Sequence, residues 1–198
     1  MSMPAKTASI LRACLPVFLC AMAIQCAAPI KDFYPDTYFS EDGIYENKPL
    51  GFLLTYKGNW DLSTAPDGFS KTARDFAKTL HKDGAELLFL GSTVEGTQGT
   101  RGIAINLNLP PIEYAQKIQK INAKDITRDL GMVEVVSDQM PMVKWEYLMM
   151  GDFHFVEFFF VVGTYDVRIA FWTKKELFER FRPTYEDIIS SVTKTSRN

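Results

Sequence analysis

The order of hydrophobic patterns predicts an α+β domain, with helices packed on the faces of a mostly antiparallel sheet in an α/β/α sandwich. Three observations carry this expectation. Two-residue turns, Gly151-Asp152 and Gly163-Thr164, separate the last three apolar runs, and connections that short force antiparallel neighbours. Stretches of helical periodicity alternate with the earlier runs. Of the 198 residues, 46% are hydrophobic and 23% charged, the profile of a chain that buries one core.

Gly51 to Tyr56 reads as the first strand, ending at Lys57-Gly58-Asn59 with Trp60 packed under the turn. Ser70 can cap a helix in which Phe69, Ala73, Phe76, Ala77 and Leu80 recur at helical spacing, with Gly84 beyond its end. A hairpin follows, with strands at Ala85 to Gly91 and Gly102 to Leu109 around a Gly- and Thr-rich stretch from Ser92 to Thr100. Pro110 and Pro111 suit the first turn of a second helix carrying Tyr114, Ala115, Ile118 and Ile121 and finishing near Asn122. Met132 to Ser137, Val143 to Met150, Phe153 to Val162 and Tyr165 to Trp172 then form a meander of strands. Phe153 to Val162 is apolar on both faces apart from His154 and Glu157, as a central strand should be. Trp60, Trp145 and Phe158 are expected in the core. Thr173 and Glu176 fit a capping box for a short helix with Leu177, Phe178 and Phe181, which Pro183 should break before a last helix with Tyr185, Ile188, Ile189 and Val192.

The N-terminus has a different character. Lys6 and Arg12 precede an apolar run from Ala13 to Ile24, the order of a secretory leader, and a dozen residues are too few to span about 30 Å of hydrocarbon. Residues 1–25 are therefore expected to be a signal peptide, 26–44 a polar, Pro-punctuated tether, and 45–198 a single domain. Two processing routes remain open. Ala21-Met22-Ala23 fits ordinary cleavage before Ile24, whereas the alternative makes Cys26 the lipid-modified first residue of a lipoprotein. All three cysteines lie in or beside the leader, so the domain has no disulfide, and lipidation would dispose of a lone thiol in an oxidising compartment. Gln25 before Cys26 is atypical for that route. The expected location is the bacterial periplasm or cell envelope.

Tyr45-x-Asn47-x-x-x-Gly51-Phe52, followed by Tyr56-Lys57-Gly58-Asn59-Trp60, resembles the opening of PsbP-like domains. The closing strand to Phe171-Trp172, then Phe178, Phe181 and Ile188-Ile189-Ser190-Ser191-Val192, is similar to the family's last strand and helix. Lys57 departs from the proline more usual in that turn. The resemblance implies a fold shared by photosystem subunits, a Ran-binding protein and many bacterial envelope lipoproteins, and it favours a noncatalytic binding module. It carries over no metal ligands, because no matching motif is present.

Charge excludes a nucleic-acid partner: 22 Lys and Arg against 24 Asp and Glu leave no positive surplus for a phosphate backbone. The two histidines, His81 and His154, belong to no metal-ligand pattern, and no cofactor motif is found. The run Gly96 to Gly102 lacks the Gly-Lys-Ser/Thr ending of a phosphate loop. It reads instead as an exposed hairpin tip in which Thr97, Gln98, Thr100 and Arg101 offer a binding loop for a protein partner or small ligand. The enzymatic alternative is an envelope hydrolase or metal-dependent enzyme using Asp152, His154 and Glu157, although the period-2 rule puts His154 and Glu157 on opposite strand faces. Lys71, Arg74, Lys78 and Lys82 on the first helix, with Lys117, Lys120 and Lys124 on the second, read as solvated basic faces or as contacts to anionic headgroups.

Overall fold

The computed structural model describes residues 37–65, 68–136 and 140–195, and in it the strands form two antiparallel sheets. The smaller sheet contains β1 (Thr37–Phe39), β2 (Ile44–Asn47), β3 (Phe52–Thr55) and β11 (Thr193–Lys194), in the order β1-β2-β3-β11. The larger contains β4 (Trp60–Ser63), β5 (Ala85–Thr93), β6 (Gln98–Ile105), β7 (Ile126–Val136), β8 (Pro141–Met149), β9 (Phe153–Val162) and β10 (Tyr165–Lys174). Its order is β4-β5-β6-β10-β9-β8-β7, which puts β10 and β9 near the middle. The helices are α1 (Lys71–Lys82), α2 (Pro111–Asn122) and α3 (Phe178–Ser190).

Successive side chains of β6, β9 and β10 point to opposite faces of the large sheet, and the two faces are covered differently. The inner face packs on the small sheet and α3. There Phe89, Phe158, Phe160, Ile169 and Phe171 meet Tyr45, Phe52, Leu54, Tyr56, Tyr185 and Ile188 in one buried cluster. Rings meet mostly edge to face, as Phe52 does with Phe160 at 5.9 Å and 81°. Trp60, Trp145 and Phe158 are all buried, as expected. The outer face carries α1 and α2, which cover separate clusters around Ile103 and around Trp145, Tyr147 and Phe159.

The expected antiparallel meander is present, and Gly151 and Asp152 both have positive φ (84° and 59°), the geometry that suits a two-residue hairpin turn. The Ser70 hydroxyl caps α1 by accepting from Ala73 N. Four expectations need correcting. The small sheet already includes Thr37–Phe39 and Ile44, residues assigned above to the tether. Strand β6 starts at Gln98 and stops at Ile105, because Asp166 on β10 accepts from Leu107 N at 3.0 Å and Leu109 N at 3.1 Å and so holds those residues as a loop into α2. Thr173 is a strand residue that donates to the Thr97 carbonyl at 2.7 Å, so it is not free to cap a helix. Pro183 sits inside α3 without ending it, since Phe178 before it and Tyr185, Ile188 and Ile189 after it are all anchored in the inner core.

Cys26 and the leader lie outside the described residues. Among the described residues, no helix is long and apolar enough to cross a membrane.

Candidate functional site

The β5–β6 hairpin differs most from its expected form. A long exposed tip from Ser92 to Gly102 was expected, but the strands run almost to its end and the turn is Val94 to Thr97. Glycines suggested a loop because they weaken strands, yet here they make room for rings. A Cβ on Gly99 would lie 2.2 Å from the Trp172 indole, and one on Gly102 would lie 2.4 Å from the Phe89 ring. Of the four residues assigned to the binding loop, only Thr97 is exposed at the turn. Gln98 and Thr100 are buried on the inner face, where Thr100 Oγ1 donates to the Ala170 carbonyl at 3.0 Å and contacts the Tyr56 hydroxyl at 3.1 Å. Arg101 points to the outer face and keeps 23% of its side chain exposed.

On that outer face, cross-strand register aligns a row of rings. Trp172 on β10 lies opposite Phe155 on β9, which lies opposite Tyr147 on β8. Trp172 stacks on Phe155 at 5.5 Å and 19°, and Phe155 stacks on Tyr147 at 5.3 Å and 8°. Trp145 continues the row 4.1 Å from Tyr147.

One step along the strands lies a charge cluster. Glu157, with no exposed surface, accepts from Tyr147 Oη at 2.8 Å, from Arg101 Nη2 at 3.3 Å and from Arg168 Nη1 at 3.5 Å. Burial pushes the Arg168 pKa down, and the Glu157 charge and hydrogen bond together with the Tyr114 and Tyr147 hydroxyls more than offset this to leave it raised. Burial and the same Glu157 charge push the Tyr147 hydroxyl well up, so it stays a donor. Two guanidiniums thus share one carboxylate, and the Nε atoms of both Arg101 and Arg168 are buried without a hydrogen-bond partner. An unsatisfied buried donor costs about 1–3 kcal/mol and more when charged, so the cluster is short of acceptors. The Arg101 guanidinium also lies between two rings, 5.9 Å from the centroids of Phe76 and of Trp172.

Beside Trp172 the surface forms a shallow cleft of about 360 Å³. Its walls include Trp172, Phe153, Phe69, Ser92 and Thr97, and Gly99 lets the Trp172 indole lie close against the sheet there. The Thr173 bond to the Thr97 carbonyl ties the turn to β10 at this edge.

The residues of the enzymatic alternative are not brought together. His154 faces inward, stacked on Phe178 at 3.4 Å between centroids, with Nε2 3.4 Å from Glu146 Oε2. Glu157 faces outward, and Asp152 occupies the turn. Among the described residues, no group of three or more His, Cys, Asp and Glu side chains could hold a metal ion. The basic residues of α1 are exposed, with Lys78 3.8 Å from Asp75 and Arg74 Nη1 donating to the Phe69 carbonyl at 2.6 Å.

Sequence reasoning missed Arg168, Tyr147, Phe155 and Trp172. Arg168 carried a signal, since a cation between Val167 and Ile169 in an apolar strand requires a buried partner, and Glu157 in the phenylalanine-rich strand is its counterpart. The pairing itself depends on register.

No family model and no curated protein matches the sequence. Two solved structures are similar. The solution structure of cyanobacterial PsbP from Synechocystis sp. PCC 6803 aligns with 10% identity and a TM-score of 0.56, over 76% of this chain and 91% of that one. The crystal structure of LpqN, involved in cell envelope biogenesis of Mycobacterium tuberculosis, aligns with 9% identity and a TM-score of 0.48, over 73% of this chain and 83% of that one. At such identities a likeness speaks for the fold alone, and the cyanobacterial structure with the element order described above shows that the chain has a PsbP-like fold.

Proposed function

We propose that the chain is a noncatalytic binding module of the cell envelope, exported by residues 1–25 and held at a membrane through Cys26 if that residue is lipidated. Its ligand, a protein segment or small molecule, docks in the cleft between the β5–β6 turn and Trp172. The observation that carries this reading is the cleft itself. Its floor of Gly99 and Trp172 belongs to the paired strands β6 and β10 inside the large sheet, and its rim is the exposed turn that Thr173 ties down. Large rings open to solvent on a rigid sheet are the common currency of binding surfaces. The leader-like N-terminus supports export, and the PsbP-like fold is one that hosts binding proteins.

Site-specific photocrosslinking in intact cells tests the reading. A photoreactive side chain at Thr97 should give a discrete adduct, whereas the same group at the exposed Glu186 of α3 should not. Filling the cleft with Ser92→Trp should abolish the Thr97 adduct while leaving the far-ultraviolet dichroism unchanged. Equal labelling from both positions would refute the cleft as the binding surface. Recovery of the mature chain with its terminus at Ile24 in the soluble fraction would refute the lipid anchor.

A further inference from the structure

The charge cluster beside the cleft is the feature that neither packing nor the fold requires. A sheet face covered by helices needs no ions, and a single Arg–Glu pair would be self-contained. Here Glu157 is the only carboxylate in hydrogen-bond contact with Arg101 or Arg168 among the described residues, so one guanidinium is left without a carboxylate of its own. Tyr147 adds a third donor to the same carboxylate, deepening the shortage of acceptors. The nearest other acid on β10, Asp166, is engaged with the backbone of Leu107 and Leu109. The shortage comes nearest the surface at Arg101, whose side chain is 23% exposed, against 11% for Arg168, and whose guanidinium lies 5.9 Å from the ring centroid of Trp172, a wall of the cleft.

From this we infer that Arg101, backed by Arg168, is the anchor of an anion-binding site that takes an organic carboxylate on a flat apolar body. The inference specifies a ligand class for the binding module proposed above and rests on that reading. A carboxylate accepts from the donors of a guanidinium in its own plane, and the pair is charge-assisted. A bound carboxylate would give Arg101 an acceptor that it need not share with Arg168. The body of such a ligand would lie against the outward face of the Trp172 indole, which itself packs over Gly99. Asp61, also on the cleft wall, stands on β4, and since it pairs with Ser92, which pairs with Gly99, two strand spacings of about 4.8 Å separate it from β6, where Arg101 lies two residues further along. The field on the near side is favourable, since α1 presents Lys71, Arg74, Lys78 and Lys82 against the single acid Asp75.

Tryptophan fluorescence reads the site directly. Of the three tryptophans, Trp60 and Trp145 are buried, whereas Trp172 is partly exposed. Titration of the folded protein with benzoate should give a saturable change and a higher melting temperature, while the neutral isostere benzyl alcohol should give neither. Arg101→Gln should weaken benzoate by roughly tenfold or more, the loss of one charge-assisted contact. Glu157→Gln, which removes the internal competitor for the guanidiniums, should tighten it, an opposite sign that a merely structural cluster would not produce. If Glu157→Gln does not fold, Arg101→Lys decides: retaining the charge but not the planar fork, it should bind more weakly than wild type and more tightly than Arg101→Gln. Equal responses to benzoate and benzyl alcohol, or unchanged affinity in Arg101→Gln, would overturn the site. Inorganic phosphate binding more tightly than benzoate would overturn the carboxylate assignment. Loss of the benzoate response with the Thr97 adduct intact would defeat the anion site alone, and loss of the adduct with the benzoate response intact would defeat the cleft reading alone.

Discussion

The two faces of the large sheet are buried to a similar degree by opposite means. On the inner face, Phe158, Phe160, Ile169 and Phe171 project from β9 and β10 into an aromatic and aliphatic cluster, and the ion pairs that bind α3 to the sheet stay at its rim. On the outer face, Glu157 and Arg168 project from the same two strands and are buried at the centre between α1 and α2. Alternating residues of one strand thus build a dry core and a polar one back to back. Close packing of rings explains how the domain holds together, and the polar face, which contributes less to folding, is where a ligand can be recognised.

Truncation should expose the asymmetry most clearly. Phe158 is 2% exposed and contacts Phe171 in the inner cluster, so Phe158→Ala should cost about 3–5 kcal/mol in urea unfolding. A neutral result would mean that the inner face is not the main source of stability. The outer face should respond differently to single and multiple changes. Glu157→Leu strands two guanidiniums and should cost about 3 kcal/mol, whereas the triple replacement Arg101→Met, Glu157→Leu, Arg168→Met should recover most of that loss. If the triple variant is no more stable than the single one, the cluster is a stabilising network and the contrast between the faces collapses.

The rim of the inner face offers a milder version of the same chemistry. Burial raises the Glu146 pKa, but contacts with His154, Arg182 and Lys144 pull it down further, from an ordinary 4.5 to about 2. A depressed carboxylate pKa contributes stability that is complete above the unfolded value and lost as pH falls through the folded one. Thermal stability should therefore decline between about pH 4.5 and pH 2, and Glu146→Gln should flatten that part of the profile. Because the Arg182 partner is 28% exposed, solvent screens the pair and the effect should be well below that of Phe158→Ala. An unaltered acid profile in Glu146→Gln would show that the rim ions do not couple α3 to the sheet.

How much of this was legible in the chain follows from the range of the interactions. The alternation in Phe153 to Val162, the Gly151-Asp152 turn and the Ser70 cap are local, and each is found where the sequence predicts it. The separation of His154 from Glu157 follows from period 2 alone. What depended on distant partners was misread or missed. Gly99 and Gly102 looked like loop residues because the rings that require them are set by pairing: Trp172 is far along the chain, and Phe89 comes opposite Gly102 through a register shift in β5. The fate of Pro183 depended on what the buried side chains around it would find to pack against, and the pairing of Arg101 with Glu157 rests on register across β6, β10 and β9. The division of the strands into two sheets, with β11 returning to pair β3, is likewise non-local.

The smallest expected effect tests whether the outer face is also the looser one. Helix α1 buries only Ala73 among its own residues, with Phe69 preceding it, while Phe76, Ala77 and Leu80 remain partly open. Its start depends on the Ser70 hydroxyl, whose acceptance from Ala73 N satisfies one of the amides that a helix N-terminus leaves unpaired. Ser70→Ala should therefore cost about 1 kcal/mol. The distribution of that loss matters more than its size. If α1 opens as a unit of low local stability, amide exchange should accelerate across residues 71–82 while the amides of β9 and β10 keep their protection. If exchange instead rises uniformly over the large sheet, α1 is coupled to the inner core, and the outer face cannot be the separately adjustable surface that ligand recognition on Arg101 and Trp172 calls for.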